Sequence, residues 1–224
     1  MNSRISLLLF WPCFVLALVS TSVPARAAYT WIASAPPQEI EARLARLQTD
    51  SSAHKAAISA GKRAAFFCAN CHGETGVSAL EHVPNLAGQN AFYLLAQIDK
   101  FGDGRRKDDF MSGLVKVLKP DERFNIAVFY ASQPVLPTAA SERAQAIAGG
   151  KHFARACVGC HGAKGYGTRE VARLAGQRNG YLVTALSNYR SGKAGRADSR
   201  MTGVAQKLSD AEIAALASFL GTLP

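Results

Sequence analysis

Two pairs of cysteines, each followed directly by a histidine, form the clearest chemical pattern in this sequence. In a C-x-x-C-H segment the two thiols can form thioether bonds to the vinyl groups of one haem, and the next residue can supply an imidazole ligand to its iron. The residues are Cys68, Cys71 and His72 in CANCHG, and Cys157, Cys160 and His161 in CVGCHG. The sequence therefore predicts two covalently bound haem c groups.

Paired cysteines also occur in thioredoxin-like redox sites, in zinc sites and in disulfides. A thioredoxin-like site is expected in a βαβ context, and no segment here shows the alternating, β-branched pattern of strands. A zinc ion could use these cysteines and histidines, but each histidine adjoins its second cysteine, which is a poor geometry for one tetrahedral ion. Zinc and disulfides stay open as alternatives, and the haem interpretation is favoured.

Methionines at matching positions are the candidates for the sixth iron ligand. Met111 follows the first motif histidine by 39 residues, and Met201 follows the second by 40. A methionine is often only a packing residue, but its recurrence at equivalent positions favours thioether ligation. His82 remains an alternative ligand for the first haem. Histidine–methionine ligation leaves the iron no open position, which favours one-electron exchange over oxygen or peroxide chemistry.

Both motifs belong to an internal duplication. The segment GKRAAFFCANCHGETG at Gly61 pairs with GKHFARACVGCHGAKG at Gly150, and LAGQ occurs at Leu86 and again at Leu174. The predicted organisation is an N-terminal extension at 28–59, a first domain at 60–133, a proline-containing linker at 134–141 and a second domain at 142–224. A domain of about 75–80 residues buries a marginal apolar core, so a haem would complete each core.

Helices connected by loops are the predicted secondary structure, so the fold class is all-α. The last helix is predicted from a capping box formed by Ser209 and Glu212, followed by apolar residues at helical spacing. Its counterpart in the first repeat is predicted to begin near Pro120. In the extension, an apolar stripe of Ile40, Leu44 and Leu47 predicts a short amphipathic helix. We expect this helix to pack on the first domain, and the alternative is that it docks a partner.

The N-terminus has the pattern of a secretory signal peptide. An apolar run at 5–19 is followed by small residues and a cleavage point after Ala27. Pro12 interrupts the run, which is shorter than the roughly 20 apolar residues that span a bilayer, although retention as an anchor is the alternative. We expect residues 1–27, with Cys13, to be removed on export to the periplasm.

The positive charge of the chain bears on its partners. The formal net charge is +10, and removing residues 1–27 takes away two arginines and no acidic residue, which leaves +8. Export and the lack of a recognised binding motif argue against nucleic acid. Basic loops near a haem edge would steer acidic redox partners, and peripheral contact with anionic lipids is a further alternative. The basic residues are Arg105, Arg106, Lys107, Lys193, Arg196 and Arg200.

From Gly61 to Pro224 the sequence resembles the cytochrome c4 family, in the paired segments CANCHG…PNLAGQ…YLLAQIDKF and CVGCHG…RLAGQ…YLVTALSNYRSG. The resemblance implies two tandem class I cytochrome c domains with facing haems. It also implies a periplasmic electron carrier, not itself an enzyme, that passes electrons towards a terminal oxidase or another redox partner. Two alternatives are the electron-accepting subunit of a periplasmic dehydrogenase and a haem enzyme or gas sensor with a labile methionine.

The same resemblance assigns roles to individual residues. It implies that each haem has one motif histidine and one methionine as axial ligands. Pro84 corresponds to the family's proline near the first motif histidine, where a backbone carbonyl steadies the imidazole. Ala172 occupies that place in the second repeat. The implied sets are Cys68, Cys71, His72 and Met111 for the first haem, and Cys157, Cys160, His161 and Met201 for the second.

Overall fold

The computed structural model describes residues 33–138, 142–192, 195–196 and 198–224, and these residues form eleven α-helices and no β-strand. The all-α prediction is confirmed. The first half, residues 33–138, contains α1 (Pro37–Thr49), α2 (Ser51–Ala64), α3 (Phe66–His72), α4 (Ala91–Gly102), α5 (Asp109–Lys116) and α6 (Pro120–Ala131). The second half, the described residues from 142 to 224, contains α7 (Arg143–Ala156), α8 (Val158–His161), α9 (Asn179–Ser191), α10 (Ser199–Ala205) and α11 (Asp210–Gly221).

Some predictions fall outside this part of the chain. The predicted signal peptide and its Cys13 lie outside the described residues, as does Lys193 of the second basic loop. Among the helices that are described, none is long and apolar enough to cross a membrane.

The two halves repeat one arrangement of helices. In the first half, α6 packs against α2 and α4, and α4 also contacts α5. In the second half, α11 packs against α7 and α9, and α9 also contacts α10. Each half has its own apolar core, which includes Leu95, Phe129 and Tyr130 in the first and Phe153, Leu216 and Leu220 in the second.

Close helix crossings explain one glycine in each half. A Cβ atom at Gly61 of α2 would overlap the carbonyl oxygen of Asn125 on α6, and one at Gly149 of α7 would overlap the carbonyl oxygen of Ala215 on α11. The structural equivalent of Gly61 is therefore Gly149, and the sequence pairing of Gly61 with Gly150 is wrong by one position. The cause is one additional residue in the second half, between Gly149 and Cys157, compared with the segment between Gly61 and Cys68.

The starts of the last helices agree with the sequence patterns. At the start of α11 the backbone N–H of Ser209 donates to the Glu212 carboxylate at 2.9 Å, and the backbone N–H of Glu212 donates to the Ser209 hydroxyl at 3.3 Å. This reciprocal pair is the predicted capping box. Helix α6 begins at Pro120, as predicted.

The N-terminal helix α1 is a structural part of the first half. Ile40 is buried, and Leu44 and Leu47 pack against the same core. Arg43 adds an ion pair to Asp121 at 2.9 Å. The expectation that the stripe packs on the first domain is confirmed. Helix α2 runs continuously across residue 60, where the first domain was expected to begin.

Candidate haem sites

Each C-x-x-C-H segment ends a short helix, which places its two thiols one turn apart on the same side. Helices α3 and α8 end at His72 and His161, and the next residue in each case is a glycine with positive φ. No disulfide joins any two of the four motif cysteines. Burial raises the pKa of the Cys68 thiol, and burial together with the neighbouring Cys160 raises that of Cys157 to about 11. The raised pKa of Cys68 and Cys157 is opposite to the lowered pKa that the reactive thiol of a redox dithiol needs.

The two motif histidines have the same hydrogen-bond geometry. The Nδ1–H of His72 donates to the carbonyl oxygen of Pro84 at 2.9 Å, and that of His161 donates to the carbonyl oxygen of Ala172 at 2.9 Å. The proton on Nδ1 leaves Nε2 with a free lone pair, which is the form that binds a metal. Ala172 makes the same contact as Pro84 because the acceptor is a backbone atom.

Burial also favours the neutral form of both imidazoles. His72 is 7% exposed and His161 is 6% exposed. In each case burial lowers the pKa of the ring and outweighs the hydrogen bond to the backbone carbonyl, which acts to raise it. A neutral imidazole is what iron ligation requires.

One cavity of about 520 Å³ connects the predicted site residues of both halves. Its other walls are mostly apolar and include Leu94, Phe101, Leu182 and Leu216. His82 also lines this cavity, so its placement leaves the alternative ligand open. The eight predicted residues that line the cavity are Cys68, Cys71, His72, Met111, Cys157, Cys160, His161 and Met201.

Both methionines lie in the first turn of a short helix whose N-cap residue is an aspartate. The carboxylate of Asp108 accepts from the backbone N–H of Met111 at 2.9 Å, and that of Asp198 accepts from the backbone N–H of Met201 at 3.3 Å. These aspartates are N-caps, which fix where α5 and α10 begin. Sequence reasoning missed them, although the pattern D-x-x-M in both repeats was visible.

Two arginines from opposite halves meet beside the cavity. Arg106 and Arg196 form an isolated antiparallel β-bridge, and both line the cavity. The Tyr181 hydroxyl contacts the guanidinium groups of both arginines, and its distance to that of Arg106 is 3.3 Å. The Tyr189 hydroxyl lies 3.4 Å from the guanidinium group of Arg196. Burial acts to raise the pKa of Tyr181, but the two guanidinium groups outweigh it and lower the pKa. Among the described residues, neither arginine forms an ion pair with a carboxylate.

The chemistry of this lining fits two haem c groups. Apolar walls suit the porphyrin, paired thiols suit its vinyl groups, and neutral imidazoles with thioethers suit its iron. The guanidinium groups of Arg106 and Arg196, which line the cavity, would supply positive charge for the propionate carboxylates of the haems. A zinc site has less support, since within the described ranges no three His, Cys, Asp or Glu side chains are placed to hold a metal ion.

Comparison with known proteins agrees with this chemistry. The Cytochrome c family model matches residues 146–224. Cytochrome c4 of Pseudomonas aeruginosa is 34% identical over 72% of this chain and 86% of that protein. This chain belongs to the cytochrome c4 family. It is therefore a dihaem electron-transfer cytochrome with two covalently bound haem c groups.

A solved structure and a second relative are also similar to most of this chain. The crystal structure of reduced recombinant cytochrome c4 from Pseudomonas stutzeri matches with a TM-score of 0.69 and 32% identity, over 74% of this chain and 98% of that one. A protein of Stutzerimonas stutzeri strain A1501 named thiosulfate dehydrogenase electron acceptor is 31% identical, over 71% of this chain and 80% of its own. The predicted fold of two cytochrome c domains is confirmed.

The basic loops of this cytochrome c4 family member are less exposed than their sequences indicate. Arg106 and Arg196 of the predicted basic loops line the cavity. Arg105 is exposed but pairs with Asp103 at 2.6 Å, and exposed Arg200 pairs with Asp198 at 3.1 Å. Lys107 is exposed with no ion pair to a described residue. Less positive charge is therefore open to a partner than the number of basic residues in these loops indicates.

Proposed function

We propose that each domain holds one haem through one C-x-x-C-H segment and one methionine. The observation that carries this assignment is the shared cavity, which all eight residues line, together with the matching Nδ1–carbonyl geometry of the two histidines. The proposed sets are Cys68, Cys71, His72 and Met111 in a domain at 60–133, and Cys157, Cys160, His161 and Met201 in a domain at 142–224, joined by a linker at 134–141.

The protein's own residues then serve a carrier rather than a catalyst. A haem with histidine and methionine ligands supplies reversible one-electron exchange. The apolar walls exclude water, the backbone carbonyls of Pro84 and Ala172 orient the imidazoles, and the N-cap aspartates position the helices that carry the methionines. Where a histidine and a methionine both bind the iron, no position would remain on it for a substrate. We therefore propose that the chain is not itself an enzyme.

We further propose that the chain works in the periplasm after cleavage of residues 1–27. Its donor and acceptor are redox proteins, and the acceptor is a terminal oxidase or another respiratory partner. The second candidate is a permanent electron-accepting subunit of a periplasmic dehydrogenase. The likeness to a protein named thiosulfate dehydrogenase electron acceptor favours it. A permanent subunit would co-purify with a catalytic chain in a fixed ratio, and a carrier would purify alone.

A kinetic measurement tests whether the chain passes electrons to a partner with an acidic docking surface. Stopped-flow oxidation of the reduced protein by solubilised terminal oxidase should slow on the order of tenfold between low and high ionic strength, because surface charge steers encounter. Lys107→Gln should reduce both the low-salt rate and its salt dependence. Lys62→Gln serves as the control, because it removes the same charge from an exposed position on α2, outside the basic loops. A rate independent of salt would refute an acidic docking partner.

A further inference from the structure

Two glutamines, one from each LAGQ segment, connect the halves of the molecule. Gln177 of the second half holds the backbone of Asn85 in the first. Its side-chain oxygen accepts from the Asn85 N–H at 2.7 Å, and its side-chain N–H donates to the Asn85 carbonyl at 3.0 Å. Gln177 is 6% exposed and Asn85 is 6% exposed, so both hydrogen bonds are shielded from water.

Gln89 of the first half makes the equivalent contact with the backbone of the second half. The side-chain oxygen of Gln89 accepts from the Arg173 N–H at 2.7 Å, and its side-chain N–H donates to the Arg173 carbonyl at 2.9 Å. Gln89 is also 6% exposed. Gln89 and Gln177 are the last residues of the repeated segment, and Asn85 and Arg173 directly precede it. The pairing is therefore reciprocal.

Each glutamine binds the very peptide group that holds the opposite histidine. The carbonyl of the Pro84–Asn85 peptide accepts from His72, while the N–H of the same planar unit donates to Gln177. In the second half, the carbonyl of the Ala172–Arg173 peptide accepts from His161, while its N–H donates to Gln89. Rotating either peptide would break both hydrogen bonds together.

We propose that Gln177 is a positioning residue for His72, and Gln89 a positioning residue for His161, each acting across the domain interface. Fixing the peptide plane fixes the carbonyl that orients the imidazole. A donor hydrogen bond at the peptide N–H also polarises the carbonyl and strengthens its bond to the histidine. Each domain thereby tunes the haem of the other. This inference rests on the proposed ligand assignment.

The test uses the full-length protein with both haems, carrying Gln177→Leu or Gln89→Leu. In Gln177→Leu the His72 Nδ1 proton should exchange with solvent at least about tenfold faster, measured by NMR of the reduced protein, while exchange at His161 is unchanged. The first haem's reduction potential should rise, since a weaker hydrogen bond makes the imidazole a poorer electron donor. Gln89→Leu should give the same effects at His161 and the second haem.

Further variants make the result specific. Gln133→Leu removes a glutamine whose side chain bonds only within its own half, and should change neither histidine. Gln177→Glu keeps an oxygen for the Asn85 N–H and should retain most of the protection of the His72 proton. It also serves if Gln177→Leu does not accumulate with two haems. Loss of protection in Gln177→Glu to the level of the leucine variant would oppose the proposal.

The proposal predicts that each glutamine variant affects the haem of the opposite domain, and this distinguishes it from the ligand assignment. Met111→His should lower the potential of the first haem and Met201→His that of the second. The two potentials in a titration can then be assigned to individual haems by these two labels. If either label leaves its potential unchanged, the ligand assignment fails. Suppose that both labels lower the potentials as expected. The proposal is then wrong if each glutamine variant affects the haem of its own domain, if it affects both haems equally, or if it affects neither. In these cases the glutamines only stabilise the interface between the domains.

Discussion

Met201→His is expected to leave the second haem six-coordinate and low-spin, and to lower its reduction potential by on the order of 0.1 V or more. Axial ligands set haem potentials over a range of roughly 0.8 V, and a thioether raises the potential relative to a second imidazole. The Asp198 carboxylate caps the backbone of residue 201 and not its side chain, so the start of α10 should survive the change. Spectroelectrochemical titration measures the potential of each haem.

Met111→His is the matched variant and should lower the potential of the first haem alone. Met201→Leu adds a second comparison, since leucine offers no ligand and should leave an open iron position that binds carbon monoxide. If Met201→His and the parent protein titrate at the same potentials, Met201 is not an iron ligand. If Met111→His has no effect, His82, which lines the same cavity, becomes the candidate ligand for the first haem.

Gly149→Ala is expected to reduce the free energy of unfolding by about 1–3 kcal/mol, the cost of overpacking a closely packed interior. The added methyl group would overlap the Ala215 carbonyl oxygen, which belongs to the backbone of α11 and cannot rotate away. Helices α7 and α11 would have to separate. Denaturant unfolding of the protein with both haems, followed by helical circular dichroism, gives the change in midpoint at constant slope.

Gly150→Ala is the control, and it lies one position further along the same helix. A Cβ atom there would lie 3.2 Å from an atom at the edge of the Phe219 ring, which can shift, and alanine favours the helix over glycine. We expect Gly150→Ala to be far less destabilising than Gly149→Ala. Equal destabilisation, or a larger effect at Gly150, would contradict the structural pairing of Gly61 with Gly149.

Local sequence patterns predicted the parts of the fold and site that depend on neighbouring residues. The C-x-x-C-H segments, the capping box at Ser209 and the start of α6 at Pro120 each need only a few adjacent residues. The equivalence of Met111 and Met201 followed from the duplication, because repeated spacing reports repeated structure. The structure then brought all of the predicted site residues to one cavity.

Other features depend on contacts that local patterns do not encode. The LAGQ repeat was visible, but Gln89 and Gln177 contact residues 84 and 92 positions away, respectively. The duplication aligned Gly61 with Gly150 because two adjacent glycines satisfy the pattern equally, and only the helix crossing distinguishes them. Charge alone does not show that Arg106 lines the cavity, where the fold supplies a tyrosine hydroxyl and an aromatic face that allow burial.

The second repeat also shows why a sequence difference need not change a site. Ala172 replaces the proline found at the corresponding place in the first repeat, yet both residues offer a backbone carbonyl at 2.9 Å from a histidine Nδ1. The side chain does not take part in the hydrogen bond. The replacement of proline by alanine therefore leaves the hydrogen bond that orients the imidazole in place.

The most direct test of the central claim is an optical spectrum of the periplasmically matured, dithionite-reduced protein before and after addition of carbon monoxide, with haem quantified per chain. We predict two haems per chain and no spectral change, because in the proposed assignment a histidine and a methionine would leave neither iron an open position. Rapid binding of carbon monoxide at either haem in the unmodified protein would show an open or labile position. That result would contradict the electron-carrier account and favour a haem enzyme or gas sensor.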